Sequence, residues 1–109
     1  MEPRITRSAD VAPVAIAAGS SRKTLGWGER TLVSEVRFEA EGIVPLHSHP
    51  HEQAGYVAEG AIEFTIGDQV VVLRAGDGYV IPSHVPHGCR ALEKSLAIDI
   101  FSPVRDEYK

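Results

Sequence analysis

Apolar and polar residues alternate along most of the chain, and this alternation predicts short β-strands. Leu32, Val36 and Phe38 share one face of an extended segment, whereas charged residues occupy the opposite face. Residues 61–66 alternate in the same way, and a glycine turn joins them to the apolar residues 70–73. These two segments therefore predict a β-hairpin.

Closely spaced glycine turns separate the predicted strands, and no segment has an extended helical period. The pattern predicts an all-β sandwich or barrel in a single domain, 1–109. We expect the barrel to occupy about residues 31–102, after an N-terminal arm of residues 1–30. Within the arm, Val14–Ala18 forms a strand or covers the sheet edge of a neighbour, and Gly19–Ser21 predicts a turn.

Composition excludes several function classes. The net charge is −4 and no Lys/Arg cluster is present, which argues against nucleic acid as a partner. No apolar run approaches the length of a membrane span. The run Val11–Ala18 contains Pro13 and follows Asp10, so we do not interpret it as a signal peptide. The single cysteine excludes an internal disulfide and favours a cytoplasmic location.

Three of the five histidines lie at alternate positions: His47, His49 and His51. On one strand, the Cα atoms of His47 and His49 would be roughly 6–7 Å apart with both rings on the same face. That spacing lets two imidazoles bind one metal ion. Pro50 disturbs the strand before His51, so we expect His51 to be a rim residue. Surface histidines in a loop are the alternative.

The last predicted strand, residues 95–101, leaves two assignments open. Leu96, Ile98 and Ile100 form the obvious core face, which puts Asp99 and Phe101 on the other. If that other face points outward, Asp99 is an ordinary solvated residue and Phe101 is an interface contact. If it points inward, a buried aspartate is costly unless it has a function.

Two motifs in this sequence resemble those of the cupin superfamily, whose fold is a single-domain β jelly-roll barrel. The second motif carries two more histidines, His84 and His87, and His84 replaces a usual glycine. Gln53 stands where the first motif usually has glutamate. The matching positions are His47, His49 and Gly60 for the first motif, and Gly76, Pro82 and His87 for the second.

The cupin resemblance implies one divalent transition metal: zinc, nickel, iron, manganese or copper. It also implies four ligands. A site of neutral imidazoles and one amide leaves the ion its full charge, so it should attract anionic oxygen ligands. This favours a Lewis-acid role on an acidic small molecule over oxygen chemistry. The implied ligands are His47, His49, Gln53 and His87.

Within the cupins, the sequence resembles most the small pectin-degradation cupins, which linearise 4,5-unsaturated monouronates. The resemblance implies an isomerase-like enzyme that opens the sugar ring and ketonises the enol to a 5-keto-4-deoxyuronate. Asp99 would be the acid/base, Phe101 would shape the pocket, and Arg105 would bind the substrate carboxylate. The expected partners are a small acidic sugar-derived substrate and a second copy of the chain, as a homodimer.

Two alternatives stay open from the sequence. One is a different metal-dependent cupin enzyme, such as a dioxygenase that acts on a small aromatic compound or diketone. The other is a non-catalytic cupin that only binds a small ligand. Tight Fe(II) loading with oxygen-dependent turnover would favour the first, and metal binding without turnover would favour the second.

Overall fold

The computed structural model describes all 109 residues, Met1–Lys109. Ten strands account for nearly all of its regular structure, with one 3₁₀ turn near each terminus, Ser8–Asp10 and Asp106–Tyr108. None of its helices is long and apolar enough to cross a bilayer. The strands are β1 Val14–Ala17, β2 Ser20–Trp27, β3 Leu32–Phe38, β4 Ile43–His47, β5 Glu52–Glu59, β6 Ala61–Ile66, β7 Gln69–Arg74, β8 Gly78–Ile81, β9 His87–Ala91 and β10 Ser95–Ser102.

The strands form two antiparallel sheets. The larger sheet has six strands in the order β1-β2-β3-β10-β5-β8, and the smaller has four in the order β4-β9-β6-β7. Consecutive strands therefore often lie in different sheets: β4 and β5 do, and so do β8 and β9. This crossing brings the two histidine-bearing connections to the same end of the barrel.

The core lies between the two sheets and is built from the residues that alternation predicted. Leu32 and Ile62 are fully buried, and Phe38 and Phe64 nearly so. The predicted hairpin is confirmed, because β6 pairs with β7 in register from Ala61 onward. The all-β barrel prediction is thus confirmed, and its physical basis is period-2 burial on both inner faces.

The N-terminal segment contributes two strands to the larger sheet. Of the two possibilities for Val14–Ala18, the strand is observed, and it pairs with β2 of the same chain. The predicted turn at Gly19–Ser21 is observed at residues 18–19 instead, because Ser20 already pairs with Ala17. Gly19, with a φ of 72°, makes the tight connection.

The prediction of the core face of β10 is wrong. The residues on its inner face are buried, whereas Ile98 and Ile100 on the other face are only partly covered. The cross-strand neighbours explain why Asp99 can point inward: it lies between Ser34 on β3 and Gly55 on β5. These small neighbours leave room for a polar side chain. The outer face is apolar because it is itself partly covered, and for that reason it was taken for the core face. The buried residues are Ser95, Ala97, Asp99 and Phe101.

Candidate active site

Three histidines meet at the open end of the barrel. His47 and His87 are cross-strand partners on β4 and β9, and their ring centroids are 4.3 Å apart. The assumption of one strand through His49 is wrong: β4 ends at His47, and His49 lies in the following loop. The His49 ring nonetheless comes within 4.9 Å of the His87 ring. Ligand nitrogens of all three lie within 4.8 Å of one another.

Local backbone contacts orient each ring in the same way. Each Nδ1 atom lies close to a backbone carbonyl oxygen two residues away. The pairs are His47 with Pro45 at 2.8 Å, His49 with His51 at 3.0 Å, and His87 with Val85 at 2.9 Å. Since a carbonyl only accepts, Nδ1 carries the proton in each ring and Nε2 keeps its lone pair. Metal-binding histidines commonly have this arrangement.

Gln53 approaches the histidines from the other sheet. It is buried near the start of β5, and its Oε1 lies 3.1 Å from His49 Nε2. With His49 protonated at Nδ1, both of these atoms are acceptors. Two acceptors at this distance repel each other unless a cation lies between them, so the pair favours a shared metal ion.

Burial favours the neutral form of two of the three histidines. It lowers the pKa of His87 to about 4, and it lowers the pKa of His49 with a further contribution from the positive charge of Arg105. These shifts favour neutral rings with a free Nε2 lone pair, the form that binds a metal.

The donor atoms fit a divalent transition metal. The Nε2 atom of His87 is buried and has no hydrogen-bond partner, an arrangement that costs about 1–3 kcal/mol. A bound ion would offset this cost by taking the lone pair. Three imidazole nitrogens and one amide oxygen suit zinc, nickel, iron or copper. The three-histidine cluster thus indicates metal binding.

Asp99 lines the same cavity as His47, His87 and Gln53. Its carboxylate is buried, and the Tyr79 hydroxyl donates to Oδ1 at 2.7 Å. Burial raises the pKa of Asp99, while hydrogen bonds from Tyr79 and Gln53 oppose this rise. A buried carboxyl group beside a metal-binding cluster has the surroundings typical of a proton-transfer group.

Arg105 and Phe101 line this cavity as well. The Arg105 guanidinium is 5.0 Å from the Phe101 ring centroid and 4.0 Å from the Tyr108 ring centroid. Its Nε atom donates to Glu107 Oε1 at 2.8 Å. These contacts hold a cation at the cavity wall, where it can attract an anionic ligand.

The remaining histidines and the cysteine lie outside the cluster. His51 is half-buried next to Phe101, with ring centroids 6.5 Å apart. His84 is exposed, but its backbone N–H donates to the His49 carbonyl at 2.8 Å and so anchors the His49 loop. Cys89 lines the cavity, and burial raises its pKa to about 12.

Sequence reasoning missed two residues that shape this site. No sequence pattern gives Tyr79 a role, although its hydroxyl holds Asp99. Tyr108 likewise has no role predicted by a pattern, yet its ring lies 3.9 Å from the Arg22 guanidinium as well as near Arg105. The alternation of Tyr79 with Ile81 predicts burial, but no pattern links either tyrosine to a partner so distant along the chain.

Comparisons with known proteins agree with this fold. The cupin domain family matches residues 34–101. The pectin degradation protein KdgF of Dickeya dadantii (strain 3937) is 35% identical over 92 residues, which cover 83% of this chain and 84% of that protein.

Two solved structures cover 99% of this chain. KdgF from Halomonas sp. matches with a TM-score of 0.92, 32% identity and 100% of its own chain. An RmlC-like cupin from Shewanella frigidimarina NCIMB 400 matches with a TM-score of 0.91, 28% identity and 97% of its chain. The chain therefore belongs to the cupin family, as a single-domain jelly roll similar to pectin degradation proteins.

Proposed function

We propose that this cupin is a metal-dependent enzyme that opens and ketonises 4,5-unsaturated uronates, giving 5-keto-4-deoxyuronates. One observation carries the proposal: His47 and His87 of the three-histidine cluster line one cavity together with the buried Asp99 and with Arg105. A metal site, a proton-transfer group and a carboxylate-binding cation are the three parts that this reaction needs. The similarity to proteins named for pectin degradation supports the same choice.

Arg105 would hold the substrate carboxylate in the cavity that it lines. Its planar guanidinium can donate two parallel hydrogen bonds to a carboxylate. Glu107 already accepts from Nε, which leaves the terminal nitrogens for a ligand. His47, His49, Gln53 and His87 would hold the metal ion, which as a Lewis acid withdraws electron density from a substrate oxygen.

Asp99 would move one proton in the reaction. As a carboxylate it accepts the proton of the hydroxyl on C1 while the bond from C1 to the ring oxygen breaks. C1 becomes an aldehyde, and the ring oxygen becomes an enolate oxygen on C5. Protonated Asp99 then returns the proton to C4 as the oxygen on C5 becomes a ketone. The reaction is an isomerisation, since no atom is gained or lost.

The direct test is incubation of the metal-loaded protein with unsaturated monouronates generated by a lyase. We expect the absorbance of the 4,5-double bond to disappear faster than in buffer, and NMR to identify the open-chain keto acid. Protein treated with a chelator should lose this activity and regain it when metal is restored. The rate should be equal with and without oxygen.

Each other result would contradict the proposal in a distinct way. A requirement for oxygen would favour the dioxygenase alternative. Metal binding with no turnover above the buffer rate would favour a binding protein. Full activity in the chelated protein, with its metal content verified as absent by elemental analysis, would remove the metal from the proposed reaction.

We also propose that the chain forms a homodimer through the outer face of the larger sheet. Tyr56 and Val80 are exposed there, at 49% and 62%, beside the partly covered Ile98 and Ile100. Sedimentation velocity of the parent should give the mass of two chains. Tyr56→Glu should shift it to one chain, and an unchanged mass would exclude this face.

A further inference from the structure

Tyr79 and Asp99 lie in one row across three neighbouring strands. Asp99 on β10 is paired with Gly55 on β5, and Gly55 is paired with Tyr79 on β8. Adjacent strands are about 4.7–4.9 Å apart, so the backbones of Asp99 and Tyr79 are separated by roughly 10 Å. Only a long side chain that lies flat across the middle strand can bridge this gap.

Gly55 provides the space for that side chain. A Cβ atom at Gly55 would overlap the Tyr79 ring at Cζ, Cε2 and the hydroxyl oxygen. The backbone of Gly55 does not have a positive φ, so its conformation does not require glycine. A glycine in the interior of a strand weakens the strand and often marks a close approach by another group. Here that group is the Tyr79 ring.

Phe64 holds the Tyr79 ring from the opposite sheet. Their ring centroids are 4.5 Å apart with an interplanar angle of 42°, and both residues are buried. Packing against Phe64 thus fixes the Tyr79 ring independently of the hydrogen bond that its hydroxyl makes. Its single donor is then directed at Asp99 Oδ1, at 2.7 Å.

We propose that Tyr79 is a positioning residue that fixes the orientation of the Asp99 carboxylate toward the metal-binding cavity, and that Gly55 must lack a side chain for it to do so. The inference rests on the proposed function, in which Asp99 transfers a proton. With Oδ1 held by Tyr79, the carboxylate cannot rotate freely about its Cβ–Cγ bond. A group that transfers protons to defined atoms depends on such fixed geometry.

The test is Tyr79→Phe, which removes the hydroxyl and retains the ring that packs on Phe64. We expect kcat on an unsaturated monouronate to fall about 10- to 100-fold, because the acid/base is no longer held in place. KM and metal content should match the parent. Thr31→Val, which removes an exposed hydroxyl outside the site, is the control and should leave kcat unchanged.

A double-mutant cycle separates positioning from a structural role. If Tyr79 acts through Asp99, adding Tyr79→Phe to Asp99→Asn should lower kcat by less than about twofold. A further loss comparable with that in the parent would overturn the proposal, because Tyr79 would then act independently of Asp99. Unchanged kcat in the single Tyr79→Phe variant would overturn it as well.

A structural readout keeps this inference distinct from the proposed function. Crystal structures of the parent and of Tyr79→Phe should show the Asp99 carboxylate rotated or split between two conformers in the variant. If the parent does not convert uronates but the carboxylate reorients, the proposed function fails and the positioning role stands. If the carboxylate keeps its orientation without the hydroxyl, the positioning role is wrong whatever the parent converts.

Discussion

The two halves of the candidate site are held in place by different kinds of contact. In the three-histidine half, each Nδ1 atom bonds to a carbonyl only two residues away along the chain. In the half that contains Asp99, the carboxylate is held by Tyr79, twenty residues away, across an intervening strand. The proposed metal ligands are thus oriented by local backbone geometry, whereas the Asp99 carboxylate depends on the packing of the whole larger sheet.

This difference predicts how the two halves respond to mutation. A change at a histidine should affect metal binding and leave the fold intact, because its orienting contacts are local. A change around Asp99 should affect turnover without affecting metal content. The following variants test that separation, from the largest expected effect to the smallest.

His87→Ala should cause the largest loss. Changes to partners of metal ligands already lower affinity about 10–100-fold, so removing a ligand should lower it by more than about 100-fold and abolish turnover. Elemental analysis of the purified protein measures the metal content. His84→Asn is the matched control, since His84 is exposed and its φ of 65° is tolerated by asparagine. Full occupancy in His87→Ala would refute the site.

Asp99→Asn should lower kcat by roughly 10²–10⁴-fold, because the amide retains the shape but cannot accept and return a proton. Metal content and the unfolding midpoint should stay close to those of the parent. Asp68→Asn, at an exposed turn residue, should have no effect on kcat. Parent-like turnover by Asp99→Asn would show that this carboxylate is only structural.

Arg105→Lys should raise KM roughly tenfold with a smaller change in kcat, since lysine keeps the charge and loses the two parallel hydrogen bonds. Steady-state kinetics on the unsaturated monouronate separates the two parameters. The exposed Arg30→Lys serves as the control. A fall in kcat at constant KM would instead indicate that Arg105 acts in the chemical step.

Gln53→Glu should have the smallest effect, and it connects both halves of the site. A charged ligand should tighten metal binding and weaken the binding of an acidic substrate by a few-fold. It would also remove the amide that hydrogen-bonds to Asp99. Metal titration and KM give the two readouts. Tighter metal binding with unchanged affinity for the acid would contradict the charge argument.

The sequence by itself determined the all-β fold and identified the histidines of the candidate metal site. Alternation fixed which residues of β3 and β6 enter the core, because period-2 burial is a local property of a strand. His47 and His87 were identified through their resemblance to the two cupin motifs, each of which occupies a short stretch of the chain. The prediction that one strand runs through His49 was wrong, but the error has little consequence because the His49 ring still joins the cluster from a loop.

Only the tertiary structure decided that Asp99 faces the cavity. The more apolar face of β10 turned out to be the outer one, and what allows Asp99 inside is the small size of its neighbours Ser34 and Gly55. The link to Tyr79 depends on strand order, which places β5 between β10 and β8. Hydrogen bonds that span several strands leave no periodic signal in the sequence, because pairing between distant segments is settled by the packing of the whole barrel.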